Sequence, residues 1–253
     1  TRYRPPPQPR PLPKKHNPGY TIGMTPDLRH RFSAFLEKYP LKTYAKGEII
    51  IFQGEAPRSS FVVQTGTVKA YNISVSGDEK PVGFYGTLDA FPGMWIYDQT
   101  PSSIYYYEAF TDEVTLRLVP KNDYLTFIGS HRDIMLFELK RYVADQLAKS
   151  MRLNALQHSK AGDKLVYTLH YLALKHGSKL PDGRQQIDLH LTHQDFANLT
   201  GLTRETAATE LNKLKHSGVI DYGKTTAYVI DIQKLAALQH DEYIADLKIK
   251  QQP

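Results

Sequence analysis

Residues 191–220 read LTHQDFANLTGLTRETAATELNKLKHSGVI, and the rest of the chain is organised around them. Thr192 is a natural N-cap, and Asp195, three residues on, stands where a capping-box acid belongs. Phe196, Ala197 and Leu199 give a first short helix its apolar face, and Gly201-Leu202 ends it. Thr203 caps a second helix in which Ala207, Leu211 and Leu214 recur at helical spacing, and His216-Ser217-Gly218 stops it. Two short helices joined by a tight glycine-containing turn are the layout of a helix-turn-helix, whose second helix enters the DNA major groove. The polar positions of that helix, Thr203, Arg204, Glu205, Ala208, Thr209, Asn212 and Lys213, form one outward face, and its N-terminal end meets base edges. The alternative at this level is an ordinary helical hairpin inside a globular domain.

The flank favours the first reading. Residues 218–222, the pair Gly223-Lys224 and residues 226–230 read as a two-stranded hairpin, the wing of a winged helix.

The chain of 253 residues is long enough for one or two cores. It has no cysteine. That excludes disulfides, thiolate metal sites, iron–sulfur clusters held by cysteine and cysteine-ligated haem, and it agrees with a cytoplasmic location. No apolar run approaches the ~18 residues of a membrane span, and the N-terminus lacks the apolar segment of a signal peptide. Of the formal net charge of +6, Arg2, Arg4, Arg10, Lys14 and Lys15 account for +5. The basic excess therefore belongs to a Pro-rich tail, residues 1–20, which cannot bury enough surface to offset ordering entropy and is expected to be disordered. Affinity for DNA has to come from local placement: helix N-termini, Arg204, Lys213, Lys215 and Lys224, with Lys160 and Lys164 as further candidates.

Residues 26–39 carry Leu28, Phe32, Phe35 and Leu36 at helical spacing. From 41 to 120, β-rich runs at 48–52, 60–64, 67–74, 81–85, 104–109 and 114–119 alternate with glycine turns, the pattern of a sandwich, jelly roll or barrel. Between about residues 134 and 156, Leu136, Leu139, Val143, Leu147 and Met151 form one apolar stripe. Phe137, Ala144, Ala148 and Ala155 form a second beside it. One stripe packs on the chain's own barrel, and the economical partner of the other is the same helix in a second copy, a parallel dimer. The alternative is a helix buried within one chain. Residues 161–176 read as a further helix, 186–191 as a strand, and 232–249 as an amphipathic C-terminal helix. The expected domains are the tail 1–20, a β-barrel sensor domain 21–130, a dimerisation helix 131–157 and a winged domain 158–253.

This order of barrel, long helix and winged helix resembles the Crp/Fnr family of bacterial transcription regulators. KGEIIIFQGE at 46–55 is similar to the start of the family's barrel, FVVQTGTVK at 61–69 to its hairpin, and 191–220 to its DNA-binding signature, with Thr203-Arg204-Glu205-Thr206 heading the recognition helix. The resemblance spans residues 26–231. It implies an α+β chain with an N-terminal double-stranded β-helix (jelly-roll) sensor barrel, a long dimerisation helix and a C-terminal winged helix-turn-helix. It further implies a homodimer on a palindromic duplex, with RNA polymerase as a protein partner. It assigns base reading to Arg204 and Glu205, which can address guanine O6/N7 and cytosine N4, with Ala208 and Thr209 on the same face. Many members carry an Arg four residues after that Glu; Thr209 stands there and cannot make the bidentate guanine contact. Thr192, His193, Thr203, Thr206, Lys213 and Lys224 are suited to phosphates; for each threonine the alternative is simple capping.

The cyclic-nucleotide pocket of the family resembles Gly-Glu-Leu followed by Arg-Ser/Thr-Ala. Thr87 stands here for the Glu and Ser102 for the Arg, and no Lys or Arg lies between Pro81 and Leu116. A buried phosphodiester would lack a cation, so cyclic AMP and cyclic GMP are expected not to bind. The same stretch holds Phe84, Tyr85, Phe91, Trp95, Tyr97, Tyr105, Tyr106, Tyr107 and Phe110. Thr87, Phe91, Trp95, Ser102, Ser103, Tyr105 and Tyr107 are candidates for a pocket taking a neutral or aromatic effector. The alternative is that the rings fill the barrel and no effector exists. No hydrolase, P-loop or zincin motif occurs, and His190 and His193 lack a third ligand, so neither an enzyme nor a metal site is expected. Haem held by a histidine stays open. The reading is a DNA-binding regulator without predicted cofactor; the alternative is a barrel-fold sensory or scaffold subunit whose winged helix contacts protein.

Overall fold

The computed structural model describes residues 24–223 and 227–239. The tail, Lys224 and the expected C-terminal helix past Gln239 lie outside the described residues, among which no helix is long and apolar enough to cross a membrane.

Thr25 caps α1 (Pro26–Leu36), its hydroxyl accepting from the Leu28 N–H at 3.3 Å, and Pro26 occupies a first-turn position that needs no donor. Eight strands follow: β1 (Leu41–Ala45), β2 (Ile49–Ile51), β3 (Ser60–Thr65), β4 (Val68–Ile73), β5 (Glu79–Tyr85), β6 (Ala90–Phe91), β7 (Tyr106–Ala109) and β8 (Glu113–Val119). The short helix α2 (Gly93–Ile96) interrupts them after β6. They form two four-stranded sheets, β1-β8-β3-β6 and β2-β7-β4-β5, in which every pairing is antiparallel. Between the sheets lie Ile51, Phe61, Val63, Val68, Phe91, Tyr107 and Leu116, all buried. Gly66 turns the β3–β4 hairpin with φ of 81°, and a Cβ there would stand 2.4 Å from the Glu113 carbonyl oxygen, so only glycine fits.

Two helices leave the barrel, α3 (Lys121–Ser130) and α4 (Arg132–Gln157). With α1 they enclose a second core in which Phe32, Leu36, Tyr124, Ile134 and Phe137 are buried and Phe35 stacks on Phe127 at 3.8 Å. Each fully buried large side chain there contributes roughly 1.5–3 kcal/mol.

The two stripes of α4 part as expected at their N-terminal end. Phe137, Ala148 and Ala155 are buried and Ala144 is half-buried, whereas Leu136, Leu139, Val143 and Leu147 are exposed. Met151, expected on the exposed stripe, is only 3% exposed and faces its own chain. The cause is helical geometry: each four-residue step overshoots a turn by about 40°, so the run through 139, 143, 147 and 151 winds onto the inner face. Met135, Tyr142 and Leu153 join Leu136, Leu139, Val143 and Leu147 on the exposed apolar face.

The C-terminal part comprises α5 (Ala161–His176), β9 (Gly177–Lys179), β10 (Gln185–Ile187), α6 (His193–Thr200), α7 (Arg204–His216), β11 (Ile220–Asp221), β12 (Val229–Ile230) and α8 (Ile232–Ala237). Its small sheet runs β11-β12-β10-β9. Leu165, Leu169 and Leu172 of α5 share a third core with Phe196, Leu199, Ala207, Leu211 and Ile230. Phe84, on the edge strand β5 of the barrel, is buried in this third core, 5.0 Å from the Phe110 ring and edge-on to His176 at 5.7 Å. Arg152 of α4 donates to the Pro81 carbonyl oxygen, and Lys175 of α5 pairs with Asp145 of α4. The winged part is therefore seated on the barrel of its own chain.

Candidate nucleic-acid interface

Side chains set both ends of the helix pair. The Thr192 N–H donates to Asp195 at 2.7 Å and the Thr192 hydroxyl accepts from the Asp195 N–H at 3.2 Å, a complete capping box. Gly201 closes α6 with φ of 70°, the left-handed conformation that redirects the chain. The Thr203 hydroxyl accepts from the Thr206 N–H at 3.2 Å and starts α7. Thr203, Arg204 and Glu205 are exposed at this positive end of the helix dipole.

Ala207, Leu211 and Leu214 are buried and anchor α7. On its other side Arg204, Glu205, Thr209, Asn212 and Lys213 are exposed, with Thr206 and Ala208 half-buried. Lys213 pairs with Glu210 at 2.6 Å, but its side chain is 66% exposed. Such a pair contributes about 0–1 kcal/mol, so a phosphate can compete for the ammonium.

A cleft of about 690 Å³ opens between the start of α6, the start of α7 and the wing, lined among others by Thr192, His193, Gln194, Arg204, Lys215 and Tyr222. Burial, then the charge of Arg204, lower the pKa of His193 below its usual value, so the ring is neutral at neutral pH. Gln194 and Tyr222 were not among the site residues expected from the sequence. Gln194 sits beside His193 at the helix start, which is the one signal for it; Tyr222 reads as a strand residue, and nothing local marks it.

Of the aromatic residues of the expected effector pocket, Phe91, Tyr105 and Tyr107 meet in the barrel core and Trp95 lies outside it. Phe91 stacks on Tyr107 at 4.8 Å and on Phe61 at 5.5 Å, and Tyr85 tilts against Phe91 and Tyr107; burial pushes the phenols of Tyr85 and Tyr107 up. Trp95 belongs to the second core, where the Lys121 ammonium lies 4.9 Å over its ring. Ser103 is buried and donates to the Tyr105 carbonyl oxygen at 2.7 Å, while Thr87, Ser102 and Tyr105 are half-buried. Phe84 and Phe110 turn to the winged part, and Tyr106 stacks with Tyr71 at 5.4 Å on the strand face opposite Tyr107. Strand alternation and the α2 turn send sequence neighbours to different cores.

The expectation that this region lacks a cation needs correction. Arg141 of α4 donates to the Leu88 carbonyl oxygen at 2.9 Å and pairs with Asp89 and with Glu138, the latter at 3.1 Å. The charge comes from a helix beyond the 81–116 window, and two carboxylates already meet it. Burial pushes Glu138 up, against the opposing pull of Arg141.

Residues 41–131 match the family model of the cyclic nucleotide-binding domain, and residues 163–239 that of the Crp-like helix-turn-helix domain. The chain belongs to the Crp/Fnr family of transcription regulators. It is 26% identical over 184 residues to the global nitrogen regulator of Synechocystis, covering 73% of this chain and 81% of that protein. It is 23% identical over 205 residues to the cyclic AMP receptor protein of Thermus thermophilus, covering 81% and 88%. The fold matches that of FixK2 from Bradyrhizobium japonicum with a TM-score of 0.64 at 21% identity, over 80% of this chain and 98% of that one. As a Crp/Fnr protein the chain is a DNA-binding transcription regulator built from the family's barrel and helix-turn-helix. Crp/Fnr regulators bind DNA and act as dimers.

Proposed function

We propose that this Crp/Fnr protein reads an approximately palindromic duplex as a homodimer, with two copies of α7 about one helical turn apart centre to centre. Arg204 addresses a guanine and Glu205 a cytosine, and Thr209 leaves its position relaxed. Thr192, His193, Thr203, Thr206 and Lys213 take phosphates, and Lys224, outside the described residues, belongs to the same set. The observation that carries this reading is the exposure of Arg204, Glu205 and Thr209 opposite the buried Ala207, Leu211 and Leu214. The exposed Leu136, Leu139, Val143 and Leu147 support pairing of α4 with its copy. A cytoplasmic regulator that recruits RNA polymerase and catalyses nothing is part of the same reading.

The barrel takes no cyclic AMP or cyclic GMP in this reading. Thr87 and Ser102 at the pocket positions, rings packed on one another inside the barrel, and an Arg141 already engaged by Asp89 and Glu138 support it. The lack of cysteine speaks against iron–sulfur clusters and cysteine-ligated haem.

Sites selected from a random duplex pool test the reading. Arg204→Ala should erase about 10- to 100-fold of the preference for selected over scrambled duplex and leave the scrambled affinity nearly unchanged. Equal losses on both duplexes refute base reading by Arg204. Absent or salt-insensitive affinity points to a protein-binding winged helix instead.

A further inference from the structure

Tyr222 stands where three parts of the interface meet, and the reading above gives it no task. Its hydroxyl donates to Asn212 Oδ1 of α7 at 2.9 Å. Its ring stacks at 4.6 Å on Tyr228, which is buried and packs on Phe196 of α6 at 4.9 Å. The His193 ring stands edge-on at 5.8 Å. The Lys215 ammonium lies 4.6 Å over the Tyr222 ring and donates to the Tyr222 carbonyl oxygen. Tyr222 is thus braced from the core on one side and lines the cleft on the other.

We propose that Tyr222 is a positioning residue for DNA binding, its ring aiming the Lys215 ammonium and its hydroxyl turning the Asn212 amide nitrogen toward phosphates that flank the groove. This rests on the DNA-binding reading. A lysine is a flexible four-carbon chain, and holding its head over an aromatic face removes part of the ordering cost before a duplex arrives. Asp221 lies 3.6 Å from the same ammonium, but its side chain is 70% exposed, so water screens the pair and a phosphate displaces it. Asn212 has one acceptor oxygen and two donor hydrogens; with Tyr222 on the oxygen, the nitrogen is the group left to face outward. It lies roughly 12 Å along the helix from Arg204, beyond the turn that meets base edges. A neutral donor there suits a phosphate oxygen.

The test is salt-titrated binding of the full chain to selected and scrambled duplexes. Tyr222→Phe keeps the ring and loses only the hydroxyl. It should weaken both duplexes alike by about fivefold without changing the salt slope, and adding Asn212→Ala to it should cost nothing more. Tyr222→Ala should also lower the slope by about one, as Lys215→Ala does, and the two together should lower it no further. Losses that simply add in both double variants, or a wild-type slope in Tyr222→Ala, overturn the proposal and leave Tyr222 as wing packing. If wild type binds no duplex at low salt, the DNA-binding reading itself has failed, an outcome visible before any variant is made. Tyr222→Phe, with packing intact, covers the case in which Tyr222→Ala loosens the wing.

Discussion

The Arg141 guanidinium of α4 donates to the Leu88 carbonyl oxygen at 2.9 Å, across 53 positions of sequence. Leu88 holds a left-handed φ of 69°, and Asp89 next to it accepts from the Gly86 N–H at 2.7 Å while pairing with Arg141. One side chain therefore fixes the barrel loop to the long helix. Arg141→Met leaves Asp89 and Glu138 without their cation and should cost about 3–5 kcal/mol in urea unfolding. Adding Asp89→Asn and Glu138→Gln should recover much of that loss, because no uncompensated charge remains.

Stability should depend on pH through two buried histidines. Burial first, then the charge of Lys175, drive His176 well below its usual 6.5, with Asp145 pulling the other way. Burial lowers His170 too, partly offset by its hydrogen bond to Gln239. The folded chain resists protonation at both, whereas the unfolded chain takes up protons below 6.5. Stability is therefore full above that pH and falls as pH drops below it. Urea midpoints should decline from about pH 7 to about pH 5.5, and His176→Gln should flatten the decline. A flat wild-type profile contradicts the neutral, buried assignment.

Leu139 and Val143 are 55% and 59% exposed on α4. Leu139→Asp with Val143→Asp should yield a monomer by light scattering while changing protomer stability by only about 0.5 kcal/mol per site. Met151→Asp, on the inner face, should destabilise the protomer itself. A dimer that survives the first pair places the interface elsewhere.

Isothermal titration with cyclic AMP and cyclic GMP should give no saturable heat. Binding of either would show that Thr87 and Ser102 do not disable the pocket, and that Arg141 exchanges its carboxylates for a phosphate.

What the sequence makes legible is what local chemistry decides. Thr192, Asp195, Gly201 and Thr203 mark the helix pair because caps and turns are written in neighbouring residues. β1 escapes because Tyr44 is its one buried residue, leaving no alternation to read. β6 is two residues long and exists through its pairing with β3. Met151 is misplaced because a regular spacing of four is not a straight line on a helix. Arg141 and Tyr222 are illegible for a different reason: each acts on partners that only the fold brings near, Leu88 and Asp89 for one, Asn212 and Lys215 for the other.

Phe84 makes the barrel and the reading head share one hydrophobic seam. Swinging the head away would wet that ring, at a cost of about 1.5–3 kcal/mol, or roughly a 10- to 150-fold bias toward the docked posture. A duplex that requires the swung posture forfeits that factor in affinity. Phe84 thereby sets how firmly the winged part is held against the barrel.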